Sequence, residues 1–221
     1  MKKVLVTGGL GFIGSHTVVE LQNEGFEVYI IDNLSNSKIE VLDRINSITG
    51  VKPSYFNIDL RDKAAVKDFF KKNKVDGTIH FAAYKAVGES VQKPLEYYEN
   101  NIGSLVYILQ EMKANNLNNF IFSSSCTVYG QADELPITEN APIKPAESPY
   151  GNTKQIGEEI IKDTTKISEL KAIALRYFNP IGAHESAIIG ELPLGVPNCL
   201  MPYITQTAIG IRKQLSVFGS D

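Results

Sequence analysis

The sequence predicts an α/β protein: a doubly wound parallel sheet, followed by the beginning of a smaller C-terminal domain. Short apolar runs alternate with amphipathic helical segments up to residue 178, which is the order of parallel βαβ units. The apolar runs are nearly continuous, as expected of strands that helices cover on both faces. After Phe178, Pro and Gly become frequent and the periodicity weakens. We therefore predict one domain at 1–178 and a partial second domain at 179–221.

Each element has its own signal in the sequence. Strands are predicted from the apolar runs at 3–8, 27–32, 53–60, 77–83, 119–125 and 171–178, and more weakly at 215–219. Helices are predicted from the periodic segments at 12–25, 37–48, 63–73, 95–114 and 150–168, and more weakly at 203–213. The fifth helix has a clear start, because Ser148 is a suitable N-cap and Pro149 is tolerated at the first helical position.

Composition excludes several classes of function. The 221 residues are 43% hydrophobic and 21% charged, with a net charge of −3 and no basic run, so nucleic acid is not an expected partner. No apolar run is long enough for a signal peptide or a membrane span, so we expect no membrane association and a cytoplasmic location. Two cysteines and three scattered histidines predict neither a disulfide framework nor a metal site.

A glycine-rich turn between the first strand and the first helix indicates a dinucleotide site. Gly8, Gly11 and Gly14 allow a tight turn and a close approach of the backbone to a pyrophosphate at the helix N-terminus. Asp32 ends the second strand eighteen residues after Gly14, where a carboxylate binds a ribose diol and repels a 2′-phosphate. No Lys or Arg follows within 33–37, so the predicted cofactor is NAD, not NADP.

Tyr150 and Lys154 are the candidate catalytic pair. They are four residues apart at the start of the fifth helix and therefore share one face. A free Tyr has a pKa of about 10, so it needs a nearby positive charge to accept a proton near neutral pH. We expect the Lys154 ammonium to lower the Tyr150 pKa. Ser125, at the end of the fifth strand, is expected to orient the same substrate hydroxyl or to relay its proton to Tyr150.

Longer stretches carry a resemblance to a known family. They span essentially the whole chain: "VTGGLGFIGSH", "DNLSNS", "HFAAYKAVGESVQKPLEYYENN", "FSSSCTVYG", "SPYGNTK", "LRYFNPIGAH" and "PNCLMPYI". With these residues the sequence resembles the extended short-chain dehydrogenase/reductases, and most closely their UDP-glucose (UDP-galactose) 4-epimerase family. The long stretch "KAVGESVQKPLEYY" and the stretch "RYFNPIGAH" are far more specific than the glycines.

The resemblance implies a Rossmann-type NAD site and a UDP-hexose site. Besides the three glycines, it places NAD against Phe12, Ile13, Asp32, Asn33, Leu34, Ser35, Asn36, Ser37, Asp59, Leu60, Phe81, Ala82, Ala83, Tyr84, Lys85, Asn100, Ser125, Tyr150, Lys154 and Phe178. It places the UDP-sugar against Ser125, Tyr150, Asn179, Cys199, Leu200, Val217 and Phe218. It also implies a homodimer with a helical interface that includes part of 97–112.

The activity implied by the resemblance is epimerisation at C4 of a UDP-hexose through a 4-keto intermediate, a reaction of galactose metabolism. A nucleotide-sugar 4,6-dehydratase or decarboxylase is the nearest alternative, but dehydration needs a further acid/base pair. Ser125, Cys126 and Thr127 include no carboxylate. A non-catalytic NAD-binding protein is the other alternative, although NAD binding alone does not need the Ser, Tyr and Lys set.

Family members generally run about a third longer than this chain. We therefore expect the 221-residue form to lack part of the substrate domain and to be poorly active or inactive.

Overall fold

The computed structural model describes residues 1–197, 199–217 and 219, and contains a six-stranded parallel sheet. The strand order is β3-β2-β1-β4-β5-β6. β2 and β3 are therefore added on one side of β1, and β4, β5 and β6 on the other, so the topological switch point lies between β1 and β4. The strands are β1 (Lys3–Thr7), β2 (Glu27–Ile31), β3 (Ser54–Phe56), β4 (Gly77–His80), β5 (Asn119–Ser123) and β6 (Lys171–Leu175). The predicted fold class is confirmed.

Helices cover both faces of the sheet. They are α1 (Phe12–Asn23), α2 (Val41–Thr49), α3 (Lys63–Lys72), α4 (Val87–Gln92), α5 (Pro94–Tyr98), α6 (Ser104–Ala114), α7 (Pro149–Lys166) and α8 (Leu200–Ala208). A π-helical turn at Glu99–Gly103 joins α5 to α6, and a 3-10 turn at Cys126–Tyr129 follows β5. Among the described residues, no helix is long and apolar enough to cross a membrane.

Alternating strand residues divide the core into two apolar clusters. Val6 and Ile30 point to the face covered by α1 and α2. Leu5 and Ile31, one residue away in each strand, point to the face covered by α3, α6 and α7. This double burial explains why the strands are continuous apolar runs in the sequence.

Several predicted boundaries were wrong. The helix predicted at 95–114 is α5, the π-helical turn and α6 in succession, and α4 was not predicted. The weak helix predicted at 203–213 is α8, which begins at Leu200 and ends at Ala208 because Gly210 follows with a φ of 80°. Residues 215–217 and 219 form no strand, and Phe218 lies outside the described residues.

The strand ends were also predicted too long. The residues after β4, β5 and β6 leave the ladder two to three residues earlier than the apolar pattern implies. These residues, together with the glycine turn after β1 and Asp32 after β2, lie along one edge of the sheet. In open parallel sheets, the crevice at the carboxyl ends of the strands is where ligands bind.

Candidate active site

The turn between β1 and α1 is packed so tightly that only glycine fits at several positions. Gly8 has a φ of 69°, and a Cβ there would lie 2.8 Å from the backbone nitrogen of Ala82. A Cβ on Gly14 would lie 2.2 Å from the carbonyl oxygen of Gly8, and one on Gly9 would lie 2.9 Å from the Ile30 side chain. Gly9 was not among the predicted site residues, although it stands inside the same glycine run.

The N-terminus of α1 has no cap from a side chain. Gly11 is the N-cap residue, and the first turn of α1 contains no acidic side chain. The N–H groups of this turn therefore create a region of positive potential. Phe12 and Ile13 are the first two residues of this turn.

Asp32 is buried and connects the glycine turn to the loop after β2. Its Oδ2 accepts a hydrogen bond from the Leu10 nitrogen at 3.1 Å, and its Oδ1 accepts from Leu34 and Ser37 at 3.0 and 2.7 Å. Leu34 adopts a φ of 59°, which orients the loop formed with Asn33, Ser35 and Asn36. The Asp32 carboxylate thus holds the glycine turn and the loop after β2 in place, and it also gives this part of the site a negative charge.

Asp59 lies beside this loop and is held by Arg61. The guanidinium donates to both Asp59 oxygens, at 3.0 and 2.6 Å, and these bonds lower the pKa of Asp59 to about 2. The Asn33 amide also donates to Asp59, at 3.4 Å. Leu60, the next predicted residue, is buried.

The predicted residues after β4 meet the helix that carries Tyr150. The backbone of Phe81 to Ala83 runs past Gly8, with the Phe81 nitrogen bonded to the Thr7 carbonyl at 3.0 Å. Buried Asn101, in the π-helical turn, bonds both the nitrogen and the carbonyl of Tyr84 and donates to Thr153 of α7 at 3.1 Å. The neighbouring Asn100 amide donates to Asn101.

Tyr150 and Lys154 lie one turn apart on α7, as their spacing predicts. The Lys154 ammonium is 5.7 Å from the centre of the Tyr150 ring and 5.1 Å from the centre of the Phe122 ring. Only 4% of Lys154 is exposed, and its Nζ donates to the Ser123 carbonyl at 2.7 Å. The N-cap predicted for this helix is confirmed, because the Ser148 hydroxyl accepts from the Gly151 nitrogen at 3.1 Å.

The expected direction of the Tyr150 pKa was wrong. Burial raises the pKa of Tyr150, and the neighbouring Ser125 hydroxyl only partly offsets this. Burial also lowers the pKa of Lys154 to about 8. The spacing in sequence fixed the relative positions of the two heads, but it carried no information on how strongly the surrounding core penalises charge.

Ser125, after β5, places its hydroxyl beside Tyr150. The Ser125 hydroxyl accepts from the Thr127 nitrogen at 3.2 Å and so begins the 3-10 turn. The Thr127 hydroxyl is buried and has no hydrogen-bond partner among the described residues.

His80, the last residue of β4, is buried in the core. Its Nδ1 is 2.8 Å from the Thr7 hydroxyl, and its ring stacks on Phe122 at 6.3 Å. Burial, helped by the Lys154 charge, lowers the pKa of His80 to about 3, so the ring is neutral.

The predicted residues after β6 lie on the open side of the site. Phe178 is 56% exposed, Asn179 is exposed, and Leu200 and Val217 are 64% and 82% exposed. Phe218, also predicted to contact substrate, lies outside the described residues.

One part of this segment does reach the predicted cofactor residues. The Lys85 ammonium is 3.7 Å from the Glu191 carboxylate, whose side chain is 15% exposed. Burial raises the pKa of the half-buried Cys199 thiol in the same neighbourhood. Glu191 was not predicted, because nothing in the sequence indicates that this segment folds back.

This geometry agrees with what is found among known proteins. Residues 4–198 match the profile of the NAD dependent epimerase/dehydratase family. The chain belongs to this family. It is 52% identical to the UDP-glucose 4-epimerase of Haemophilus influenzae, over 99% of this chain and 65% of the relative. It is 51% identical to UDP-glucose 4-epimerase 2 of Arabidopsis thaliana, over 100% of this chain and 64% of the relative.

Solved structures of the epimerase/dehydratase family give the same result for the fold. The UDP-glucose 4-epimerase from Bifidobacterium longum, in complex with NAD+ and UDP, matches with a TM-score of 0.95 at 46% identity. The match covers 99% of this chain and 65% of that one. The chain thus spans about 65% of the length of the curated relatives and solved structures it matches.

Proposed function

We propose that this chain binds NAD and, with a UDP-hexose, carries out epimerisation at C4. The observation that supports this most strongly is the position of Tyr150 and Lys154 at the carboxyl edge of the sheet that also carries the glycine turn. A dinucleotide site without a reaction would not need a buried ammonium beside a phenol. The relatives named UDP-glucose 4-epimerase support the same conclusion.

The residues present fit NAD. The uncapped N-terminus of α1 and the glycine turn suit a pyrophosphate, because bare N–H groups and a close backbone are what such a group requires. The Asp32 carboxylate suits an adenosine ribose diol and repels a 2′-phosphate. Lys85, Asp59 and Asn100, with the other residues predicted for NAD, lie along this edge or next to it.

In this proposal Tyr150 is the acid/base group. Its phenolate would take the proton of the C4 hydroxyl and give it back from the other orientation of the sugar. When bound, NAD would accept the hydride from C4 and return it to the opposite face of the 4-keto sugar. Ser125 would hold the reacting hydroxyl.

Lys154 would make this proton transfer feasible. Since burial raises the pKa of Tyr150, ionisation of the phenol depends on positive charge nearby. The Lys154 ammonium supplies one such charge as long as it stays protonated, which its pKa of about 8 allows at neutral pH. We therefore expect catalysis to weaken as pH rises above about 8 and Lys154 loses its proton.

The substrate residues are proposed on weaker structural support. Asn179, Leu200 and Val217 are exposed and do not enclose a pocket by themselves. We therefore expect this chain to bind NAD but to turn over UDP-galactose slowly, because a loosely held sugar is misplaced and misplacement by about 1 Å costs on the order of a hundredfold in rate.

Cofactor choice tests the first half of the proposal. Calorimetric titration of the purified chain should show NAD binding and at least tenfold weaker NADP binding. Asp32→Asn should narrow that ratio by removing the negative charge, while Asp76→Asn, an exposed aspartate at the opposite end of the sheet, should leave it unchanged. Equal or tighter binding of NADP by the unmodified chain would contradict the proposal.

Hydride transfer tests the second half. Adding UDP-galactose to the NAD-loaded chain should produce the fluorescence of reduced nicotinamide, even where complete turnover is slow. Tyr150→Phe should abolish this signal while NAD affinity stays within about threefold, because the ring remains and only the hydroxyl is lost. No signal from the unmodified chain, or an undiminished signal from Tyr150→Phe, would contradict the proposed chemistry.

We also propose that the protein forms a homodimer through the helical face that the resemblance implies, which includes part of 97–112, together with α4 and α5 just before it. Supporting this, Val87, Val91 and Leu95 are 49%, 61% and 81% exposed on α4 and α5. Sedimentation of the purified chain would measure its mass, and Val91→Glu should shift a dimer towards monomer. The expected cytoplasmic location rests on the sequence alone and stays a prediction.

A further inference from the structure

Helix α7 carries a third charged residue on the face that holds Tyr150 and Lys154. Glu158 is four residues after Lys154, so the two side chains lie one turn apart on the same face. A Lys and a Glu at this spacing commonly form an ion pair on a helix. Here they do not: among the described residues Lys154 takes part in no ion pair, and its Nζ donates to the Ser123 carbonyl at 2.7 Å.

Arg176, directly after β6, binds Glu158 instead. Its NH2 and Nε donate to the two carboxylate oxygens at 2.5 and 2.9 Å, which is a bidentate pair of defined orientation. The Ser124 hydroxyl donates to the same carboxylate at 2.5 Å. The side chains of Glu158 and Arg176 are only 13% and 22% exposed, so water does little to weaken the pair.

The guanidinium of Arg176 is itself fixed in place. Its NH1 donates to the Tyr129 hydroxyl at 3.1 Å, and its centre lies 5.1 Å from the centre of the Tyr129 ring. A planar fork held on both sides cannot be replaced by the single ammonium of a lysine without losing this geometry.

We propose that Arg176 is a positioning residue that holds the Glu158 carboxylate away from Lys154, which leaves the Lys154 ammonium free to serve Tyr150 and the cofactor. Without Arg176, Glu158 would be a largely buried carboxylate without its cation, one helical turn from the Lys154 ammonium, and the two charges would attract each other. Arg176 and Lys154 are two cations that can pair with Glu158, and this competition does not depend on the proposed function. Its effect on NAD binding does rest on the proposed cofactor site.

The other titratable groups around Lys154 are uncharged, so none of them competes with Glu158 as a partner for the ammonium. His80 faces it from β4 and is neutral, and Tyr150 faces it from α7 as an un-ionised phenol. Tyr177, after β6, is also un-ionised, because burial raises its pKa, and its hydroxyl is bonded to that of Ser123. Burial is the cause that lowers the pKa of Lys154.

The test is the titration of Lys154 in the ligand-free chain, followed by the 13Cε resonance of labelled lysine and assigned with Lys154→Met. Arg176→Met should move the midpoint upward by about one pH unit, because an unpaired Glu158 stabilises the ammonium. The double variant Arg176→Met with Glu158→Gln should bring it back. An unchanged midpoint in Arg176→Met would overturn the proposal.

NAD affinity gives the functional readout. Arg176→Met should weaken NAD binding about tenfold, Glu158→Gln alone should change it less than threefold, and the double variant should recover most of the loss. A pair that serves only as a structural brace would give a double variant at least as impaired as Arg176→Met. Arg176→Lys, which keeps the charge without the fork, should lie between the unmodified chain and Arg176→Met.

The outcomes separate this inference from the proposed function. If Arg176→Met does not fold, Glu158→Gln still tests the proposal, since a loss of NAD affinity of tenfold or more in that variant would overturn it. If the unmodified chain binds no NAD, the proposed function fails, whereas the Lys154 titration in the ligand-free chain still tests the competition between the cations.

Discussion

Strands β2 and β6 belong to one sheet but are buried to very different extents. In β2, Ile30 and Ile31 are fully buried, with helices on both faces. In β6, Ile173 and Leu175 are 59% and 38% exposed. The same contrast continues beyond the strands, since Asp32 after β2 is buried whereas Phe178 after β6 is 56% exposed.

The two ligands of the proposed reaction bind in regions that differ in burial. The glycine turn and Asp32 are positioned by contacts within the buried half of the sheet, β1 to β4, so the proposed site of the NAD pyrophosphate and adenosine ribose is formed in this half. The proposed sugar contacts after β6 have few neighbours to hold them. We therefore expect cofactor binding and sugar binding to respond to different substitutions.

The largest effect is expected from one substitution made in both strands. Ile30→Ala should lower the free energy of unfolding by about 4 kcal/mol, because it removes buried methyl groups at the centre of the sheet. Ile173→Ala removes the same groups from a half-exposed site and should cost less than about 1 kcal/mol. Urea denaturation measures the free energy of unfolding of both variants. Equal decreases in the two variants would mean that β6 is as well covered as β2.

A second comparison concerns two glycines. Gly14→Ala should cost about 3 kcal/mol and weaken NAD binding strongly, because its Cβ would lie 2.2 Å from the Gly8 carbonyl oxygen. Gly88→Ala, in α4, meets no atom within 4 Å and should be neutral or stabilising. Calorimetric NAD titration and thermal melting of both variants test this. A Gly14→Ala variant that binds NAD normally would show that the turn can relax.

Most of the fold could be predicted from the sequence, since strands buried on both faces leave continuous apolar runs. Boundaries were less accurate, because apolar or aromatic residues continue at 81–83 and at 177–178 after the strands end. The π-helical turn was missed because its residues are helix-compatible, and only the burial of Asn101 against Tyr84 and Thr153 reveals it.

The candidate site was predicted to a similar extent. Motif spacing correctly placed the glycine turn, Asp32, Tyr150 and Lys154 along one edge of the sheet. It could not indicate the direction of the Tyr150 pKa, which depends on burial by residues distant in sequence. Nor could it pair Glu158 with Arg176, because contacts between α7 and the end of β6 leave no local pattern.

The buried ammonium of Lys154 should reduce stability. Its pKa is about 8 in the folded chain and about 10.4 when unfolded, so the unfolded chain binds more protons between these values. Stability should therefore rise with pH from about 8 to about 10. Lys154→Met removes this dependence and should stabilise the ligand-free chain by about 1–2 kcal/mol at pH 7, less the lost hydrogen bond to Ser123.

Lys154→Met should also weaken NAD binding. The variant would then be more stable but bind the cofactor less tightly, which would show that Lys154 serves binding and not stability. Urea denaturation at pH 7 and pH 9.5 would show the stabilisation shrinking as pH rises. Lys166→Met, on the same helix but 61% exposed, is the matched control and should show neither effect. A destabilised Lys154→Met at pH 7 would mean that the hydrogen bond to Ser123 outweighs the cost of burying the charge.

The smallest effect is expected at the exposed end of the comparison. Ile209, Ile211 and Val217 are 71%, 69% and 82% exposed. Among the described residues, the Arg212 side chain in this stretch contacts Tyr203 and Gln206 of the adjacent α8. Changing the three apolar residues to Ser removes little buried surface, so the melting temperature should shift by less than about 2 °C. NAD affinity should stay within twofold, since none of the three lies near the glycine turn or Tyr150. Solubility should increase, because exposed apolar patches promote association. A fall in NAD affinity or in melting temperature would show that this stretch packs against the buried half in solution, and the two regions would then not be independent.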